Sequence, residues 1–189
     1  MLAEQIFKEG RTFYKWQDKQ ILDQLLHELY DLVKLGPTSA NCLPMRLIFV
    51  KSKEAKEKLQ KCLAPTNIDK AMSAPVTAII AQDMEFYNKL PKLFPHTDAK
   101  AWFVGNQELI DATAFRNSSL QGGYLIMAAR TLGIDTGPMS GFDNALLDSE
   151  FFAGTTIKSN FLCNLGYGVL ESLYPRLPRL DFDEAAKIL

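Results

Sequence analysis

Three short segments, far apart in the chain, carry cations and hydrogen-bonding groups that could together bind a phosphorylated cofactor. Arg11 and Lys15 form a cationic pair near the N-terminus, and Arg176 and Arg179 form a second pair late in the chain. Between them, residues 37–41 read Pro-Thr-Ser-Ala-Asn. Arginine can bind phosphate through two parallel hydrogen bonds, lysine binds it as a point charge, and Ser and Asn side chains can hydrogen-bond a heterocycle. Solvated surface charge is the alternative interpretation of these cations.

The sequence lacks the motifs of catalysis by side chains alone. The glycines within 133–141 have the wrong spacing for a dinucleotide-binding G-x-G-x-x-G, and neither a P-loop nor a G-x-S-x-G is present. There are two histidines, His27 and His96, and three cysteines without a CxxC pair, so no metal site is expected. An enzyme made of these residues would need a cofactor for its chemistry.

Composition and charge favour an ordinary globular protein over a nucleic-acid-binding or membrane protein. The chain has 189 residues, 47% hydrophobic and 23% charged, and a net charge of −1. These values predict one globular domain over 1–189 without bulk attraction for nucleic acid or an anionic membrane. The three separated cysteines favour a reducing compartment, the N-terminal sequence lacks the apolar segment of a signal peptide, and the apolar runs are short. We therefore expect a cytoplasmic protein.

The elements that would position these residues can be inferred from periodicity and turn residues. Apolar spacing predicts helices over 18–35, 52–63 and 107–132, a short helix after Asp181, strands over 46–50, 75–81 and 160–167, and an extended turn over 135–141. Few strands among long helices favour an α+β or three-layer architecture. The aromatic, Pro-broken segment 84–103 fits either a pocket wall or a surface excursion.

The ordered set of motifs resembles the flavin-dependent nitroreductase family over nearly the whole chain. The motifs that carry the likeness are Arg11-x-x-x-Lys15, GPTSAN, FYNKLPKLFPH, AFRNSS, TGPMSGFD, FFAGTTIKSN, LGY and RLPRL. They are most similar to the branch that contains the malonic semialdehyde reductase of uracil breakdown, a branch also labelled NADH dehydrogenase or NAD(P)H nitroreductase. The chain differs from the family pattern at Phe13, Leu43 and Tyr174, where Ser, Gln and a cation are usual.

The resemblance implies a nitroreductase-like α+β fold, in which a central, mostly antiparallel sheet is flanked by helices. It also implies an intertwined homodimer that holds two FMN molecules at the subunit interface. The adjacent glycines Gly122 and Gly123 would then let the long helix pack closely at that interface, and the segment 84–103 would form a variable wall near the substrate.

By position in the motifs, the resemblance assigns roles to individual residues. Arg11, Thr12 and Lys15 would contact the FMN phosphate, the ribityl chain and the N1/O2 edge, while Arg176 and Arg179 would clamp the phosphate. The other cofactor-binding positions are Pro37, Thr38, Ser39 and Asn41 from the other subunit, Asn67 and Lys70 at the pyrimidine edge, and Pro138, Met139, Ser140 and Gly141 along the isoalloxazine face. The catalytic groups would be Lys15 and the Gly141 N–H at flavin N5.

The activity implied is hydride transfer from NADH or NADPH through FMN N5 to a small-molecule acceptor. The acceptor expected from the branch is malonic semialdehyde, reduced to 3-hydroxypropionate, or a related aldehyde. Three alternatives fit the same residues: a broad nitroaromatic or quinone reductase, a flavin-binding protein without turnover, and a domain without flavin whose cations are solvated.

Overall fold

The computed structural model describes residues 3–189 and contains one antiparallel sheet in the order β1-β2-β4-β3. Its strands are β1 (Met45–Val50), β2 (Val76–Asp83), β3 (Asp135–Met139) and β4 (Ile157–Gly166). Each neighbouring pair is antiparallel, with a register shift between Ile80 and Ala81 where β2 meets β4. The predicted α+β class and antiparallel sheet are confirmed.

Seven α-helices surround this sheet within the described residues. They are α1 (Asp23–Val33), α2 (Lys53–Cys62), α3 (Pro65–Ser73), α4 (Leu90–Leu93), α5 (Gln107–Thr131), α6 (Asn144–Phe151) and α7 (Phe182–Ala185). Short turns of other helix types occur at Glu4–Lys8, Ser39–Asn41, Phe86–Lys89, Ala99–Trp102 and Leu170–Ser172. None of the helices in the described range is long and apolar enough to cross a membrane.

The sheet lies between two helical layers. Ala78 and Ile80 of β2 pack into a core with α1 and α5, whereas Ile79 and Ala81 pack into a second core with α2, α3 and α6. Successive side chains of a strand point to opposite faces, so a strand covered on both faces is apolar at every position. This explains why residues 78–81 are all apolar, whereas Thr77 is buried with its hydroxyl donating to Asn164 Oδ1 at 2.7 Å.

The N-terminal segment runs along the sheet instead of starting the first helix. Thr12 forms a bridge with Thr136 of β3, and Trp16 forms one with Gly168 just after β4. The Gln17 N–H donates to the Tyr167 carbonyl at 2.8 Å. The predicted helix start at residue 18 was wrong, because Leu22 is extended, the Ile21 carbonyl accepts a hydrogen bond from Lys51 Nζ at 2.9 Å, and α1 begins only at Asp23.

Three further expectations about local structure needed correction. Helices α3 and α6 were not predicted, since each is short and has only a few apolar positions. The expected turn over 135–141 begins as strand β3, because Asp135–Met139 pairs with β4. The contact that requires glycine at position 122 is inside one chain, because a Cβ there would meet the Phe161 ring at 2.4 Å, whereas a Cβ at Gly123 would meet nothing within 4 Å.

The aromatic segment 84–103 folds around a small core of its own. Phe86, Leu90 and Phe103 are buried there, together with Cys42 from the loop before β1. The rings of Phe86 and Phe103 meet edge-on with centroids 4.9 Å apart. Trp102, in contrast, is half exposed. The segment is thus packed against the loop that contains residues 37–41.

Candidate functional site

A cavity of 460 Å³ lies where the N-terminal segment meets the chain after β4. We call it the arginine cavity, because Arg11, Arg130, Arg176 and Arg179 all line it. Its lining includes no aspartate or glutamate, and the ion pairs found among residues 3–189 involve none of these four arginines. Four guanidinium groups without a carboxylate partner make this cavity suited to an anion.

Backbone carbonyls hold the two predicted phosphate arginines in place. Arg11 Nη2 donates to the Tyr174 carbonyl at 2.5 Å, and Arg176 Nη2 donates to the carbonyls of Lys8 at 2.6 Å and Gly10 at 3.0 Å. A guanidinium carries five N–H donors, so each arginine keeps donors for a ligand. Arg179, in contrast, donates to the carbonyls of its own neighbours, Leu177 and Pro178.

Arg130, which the sequence analysis did not single out, supports the same cavity from the last turn of α5. Its Nη1 donates to the Ile6 carbonyl at 2.8 Å and its Nη2 to the Arg11 carbonyl at 3.4 Å. Burial lowers the pKa of the Arg130 guanidinium from its usual value, and the nearby Arg176 lowers it further. One arginine in the last turn of a helix is an ordinary feature of sequences, so no pattern pointed to it.

Asn67, Lys70 and Gly141 form a second group that the structure brings together. Asn67 Nδ2 donates to the Gly141 carbonyl at 3.1 Å, and Lys70 Nζ donates to Asn67 Oδ1, also at 3.1 Å. The Ala64 N–H donates to the same Gly141 carbonyl at 3.0 Å. The carbonyl of Gly141 is therefore satisfied twice, whereas its N–H finds no acceptor among the hydrogen bonds of residues 3–189.

Glycine is required at position 141 by this close approach. A Cβ at Gly141 would lie 2.5 Å from Asn67 Nδ2 and 3.5 Å from the Ala64 Cβ. Just before it, Pro138 and Met139 are fixed by pairing with Cys163 and Leu162 of β4. Ser140 is exposed and follows the end of the strand. The segment from Pro138 to Gly141 is thus held in the sheet at its start and is partly accessible to solvent at its end.

Trp16 connects the two groups. Its Nε1 donates to the Lys70 carbonyl at 3.1 Å, which ties the N-terminal segment to α3. Residues 11 and 16 are at most about 18 Å apart along the chain. Thr12 and Lys15 lie between them and are exposed, and the Lys15 carbonyl accepts a hydrogen bond from the Val169 N–H. A tryptophan in a loop gave no sequence signal for this role.

The loop 37–41 lies elsewhere in the same chain. The Ser39 N–H donates to Asn117 Oδ1 at 2.9 Å, and the Tyr124 hydroxyl donates to the Pro37 carbonyl at 2.9 Å, so the loop is fixed to α5. Asn117 is thirteen residues before Arg130 on that helix, which corresponds to about 20 Å along the axis. Tyr124, which holds the Pro37 end of the loop, is six residues before Arg130, about 9 Å along the axis. The loop thus lies beside the middle of α5, and none of its residues lines the arginine cavity of the same chain.

Backbone conformation in this loop is unusual. Ala40 and Asn41 have φ values of 48° and 50°, in the left-handed region that non-glycine residues seldom adopt. The side chains that hold it are Asn41, whose Nδ2 donates to the Leu93 carbonyl at 2.8 Å, and Thr38, whose Oγ1 accepts from the Leu43 N–H at 3.2 Å. Strain that is maintained by several contacts is typical of functional segments.

The three cysteine side chains are buried, which disfavours their reactive thiolate form. Cys42, Cys62 and Cys163 are buried and unpaired. Burial raises the pKa of Cys42 to about 11 and that of Cys163 to about 12, and it also raises the pKa of Cys62. The thiolate is the reactive form, so these residues are unsuited to catalysis.

Comparison with known proteins identifies the family. The model of the Nitroreductase family matches residues 8–167. A protein of Burkholderia lata is 60% identical over 185 residues, which cover 98% of this chain and 95% of that protein. A protein of Stenotrophomonas maltophilia is 63% identical, with 98% and 94% covered. Both relatives carry the provisional name NADH dehydrogenase/NAD(P)H nitroreductase.

A solved structure supports the same fold. A provisionally named nitroreductase from Exiguobacterium sibiricum, crystallised in complex with FMN, superposes with a TM-score of 0.89 at 19% identity. The match covers 100% of this chain and 97% of the other. The chain therefore belongs to the nitroreductase family, whose members are NAD(P)H-dependent flavin oxidoreductases. The resemblance noted in the sequence is confirmed.

Proposed function

We propose that the chain, as one nitroreductase-like domain over 1–189, is an FMN-dependent oxidoreductase that uses NADH or NADPH. The observation that carries the proposal is the arginine cavity, because its four arginines and lack of a carboxylate fit a phosphate monoester. When bound, FMN supplies hydride transfer between the reduced nicotinamide and the acceptor. The buried free thiols support a reducing compartment such as the cytoplasm as its location.

In this proposal the phosphate binds to Arg11, Arg176 and Arg179, with Thr12 beside them. The carbonyl contacts of Arg11 and Arg176 orient both guanidinium groups before a ligand arrives. Preorganised donors bind an anion better than mobile ones, because less side-chain entropy is lost on binding. Arg179 is free to exchange its contacts with neighbouring carbonyls for contacts with the phosphate.

The flavin ring is proposed to lie along Pro138, Met139, Ser140 and Gly141, with Asn67, Lys70 and Lys15 at its polar edge. The Gly141 N–H, which lacks an acceptor among the described residues, would donate to flavin N5. With Arg11 on the phosphate, Lys15 is the cation proposed near the N1/O2 edge, where it would stabilise negative charge. In this proposal these residues bind and orient the flavin, and none of them acts as a nucleophile.

The separation of the loop 37–41 from the arginine cavity supports a homodimer. Pro37, Thr38, Ser39 and Asn41 line no part of that cavity in their own chain, and Ser39 is fixed to Asn117, about 20 Å from Arg130 along α5, so they would complete the site of a second copy. The strained, well-anchored loop fits such a role. Analytical ultracentrifugation should show a dimer, and flavin absorbance should show one FMN per chain.

For the acceptor, we propose malonic semialdehyde, reduced to 3-hydroxypropionate, or a related small aldehyde. The support is the motif likeness to the branch that contains the malonic semialdehyde reductase. The alternative is a broad nitroaromatic or quinone reductase, which fits the provisional name of the relatives. The two differ in which acceptor has the highest kcat/KM.

One experiment tests the proposal in two stages. The purified protein is first titrated anaerobically with NADH and NADPH, and loss of the visible flavin band is followed. The reduced protein is then mixed with malonic semialdehyde, a nitroaromatic compound and a quinone. Bleaching followed by reoxidation by the aldehyde supports the full proposal. A flavin that is bound but not bleached would identify a flavin-binding protein without turnover.

A further inference from the structure

A buried lysine lies behind the proposed flavin site without touching it. Lys56 of α2 is 8% exposed, and its Nζ donates to the carbonyls of Ala71 at 3.0 Å and Met72 at 3.4 Å, and also to that of Ala74. The ion pairs found in the described part of the chain do not include Lys56. Burying an ammonium group without a carboxylate partner costs free energy, so the hydrogen bonds that Lys56 makes instead need an explanation.

The contacts of Lys56 are all at the carboxyl end of α3. The last carbonyls of a helix have no partner within the helix, and they form the negative end of its dipole. Trp16 Nε1 donates to a further carbonyl in the same turn, that of Lys70. Helix α3 has nine residues and no side-chain hydrogen bond at its N-cap, so it is too short to be stable alone. Its position therefore depends on these side chains.

The same short helix carries Asn67 and Lys70. Lys70 Nζ donates to Asn67 Oδ1, and Asn67 Nδ2 donates to the Gly141 carbonyl. A shift of α3 along its axis would move both side chains relative to Gly141. Because the helix is rigid over nine residues, anchoring its end fixes the side chains one turn earlier.

We propose that Lys56 is a positioning residue, which sets Asn67 and Lys70 at the flavin edge by anchoring the carboxyl end of α3. This inference rests on the proposed function, since it assumes that Asn67 contacts bound FMN. Lys56 acts through Asn67 and makes no contact with the ligand. Its loss should weaken FMN binding, and the effect should depend on the presence of the Asn67 amide.

The test compares Lys56→Met with Lys53→Met in the full-length protein. Lys53 lies on the same helix but is exposed. The dissociation constant of FMN is measured by quenching of flavin fluorescence, and hydrogen exchange reports on the α3 amides. Lys56→Met should raise the dissociation constant about tenfold and speed exchange in α3, whereas Lys53→Met should change neither. Equal constants for the two variants would overturn the inference.

A double-mutant cycle separates positioning from a general loss of stability. In an Asn67→Ala background, Lys56→Met should change the FMN dissociation constant less than about twofold, because the Asn67 amide and the hydrogen bond by which it holds Lys70 are both gone. The same tenfold effect in both backgrounds would overturn the inference. Where Lys56→Met fails to fold, Lys56→Gln, which is shorter and has only two donors for the three carbonyls, takes its place in the cycle. Wild-type protein that binds no FMN would overturn the proposed function as well, so the two failures are distinguishable.

Discussion

Arg11 and Arg176, at opposite ends of the chain, each donate a hydrogen bond to the backbone beside the other. Arg11 Nη2 contacts the carbonyl of Tyr174, two residues before Arg176, and Arg176 Nη2 contacts the carbonyl of Gly10, directly before Arg11. This reciprocal pairing closes the arginine cavity and joins the N-terminal segment to the C-terminal one. It brings two like charges together, which a bound dianion would offset.

Arg176→Ala is therefore expected to weaken FMN binding strongly. A hydrogen bond to a charged group contributes about 1.5–3 kcal/mol, which corresponds to about 10- to 150-fold in the dissociation constant. Lys187→Ala removes an exposed cation from the same part of the chain and serves as control. Both constants are measured by fluorescence titration at fixed ionic strength. Equal FMN affinity in the two variants would mean that the arginine cavity does not bind the phosphate.

Gly141→Ala is expected to lower both stability and flavin affinity. The new Cβ would lie 2.5 Å from Asn67 Nδ2, so the amide has to move away from the Gly141 carbonyl. Overpacking of this kind costs about 1–3 kcal/mol in the free energy of unfolding, measured by urea denaturation. Ser140→Ala, at the exposed neighbour, should stay within about 0.5 kcal/mol of wild type.

The combination Gly141→Ala with Asn67→Ala makes this prediction sharper. Shortening Asn67 removes the clash, so stability should recover while FMN affinity stays low. If stability does not recover in the double variant, the strain at position 141 has a source other than the contact with Asn67.

Ala40→Gly is expected to leave the protein as stable as wild type or up to about 1 kcal/mol more stable. Ala40 has a φ of 48°, which glycine adopts without strain, and this gain offsets the larger entropy of glycine in the unfolded chain. Ala112→Gly, on the exposed face of α5, should instead cost about 1 kcal/mol. If both substitutions destabilise equally in urea denaturation, residue 40 does not have the left-handed conformation.

The native protein is expected to be inert to thiol reagents at mildly alkaline pH. Burial raises the pKa of Cys42 to about 11 and that of Cys163 to about 12, from 9.0. Titration with a chromogenic disulfide should therefore count no thiols in native protein and three in denaturant. A native thiol that reacts as fast as free cysteine would contradict the burial of these side chains.

The raised pKa of Cys42 also predicts how the stability of the folded protein changes with pH. The pKa of Cys42 is higher in the folded than in the unfolded chain, so the stabilisation is complete below about pH 9 and is lost as the pH rises through about 11. The urea midpoint should fall over this interval. Cys42→Ala should show a smaller fall there than wild type, because it lacks this ionisation.

Sequence periodicity was sufficient for the central elements of the fold. The strands β1, β2 and β4 and the helices α2 and α5 were predicted within a few residues, because each has a long apolar pattern or a clear cap. Ser52, for example, accepts a hydrogen bond from the Ala55 N–H at the start of α2. The first helix was predicted too long, since Ile21 and Leu22 continue its apolar spacing although they precede the helix.

The candidate site could be predicted only in part from the sequence, because the contacts that support it join distant segments of the chain. Family motifs pointed to Arg11, Asn67, Gly141 and Arg176, but the supports of these residues lie in contacts between distant segments. Arg130 holds the Arg11 carbonyl, and Trp16 and Lys56 hold the end of α3. Every residue has a backbone carbonyl, so a side chain that donates to one can have any residue type as its partner. Such contacts therefore cannot be recognised from a pair of residue types in a single sequence.

Anaerobic titration of the purified protein with NADH and NADPH, combined with identification of the released ligand by mass spectrometry, decides whether the chain is an FMN-dependent oxidoreductase. We expect one FMN per chain in a dimer, and a visible absorption band that is lost on addition of reduced nicotinamide and restored by an acceptor. A colourless protein that takes up no added FMN would contradict it.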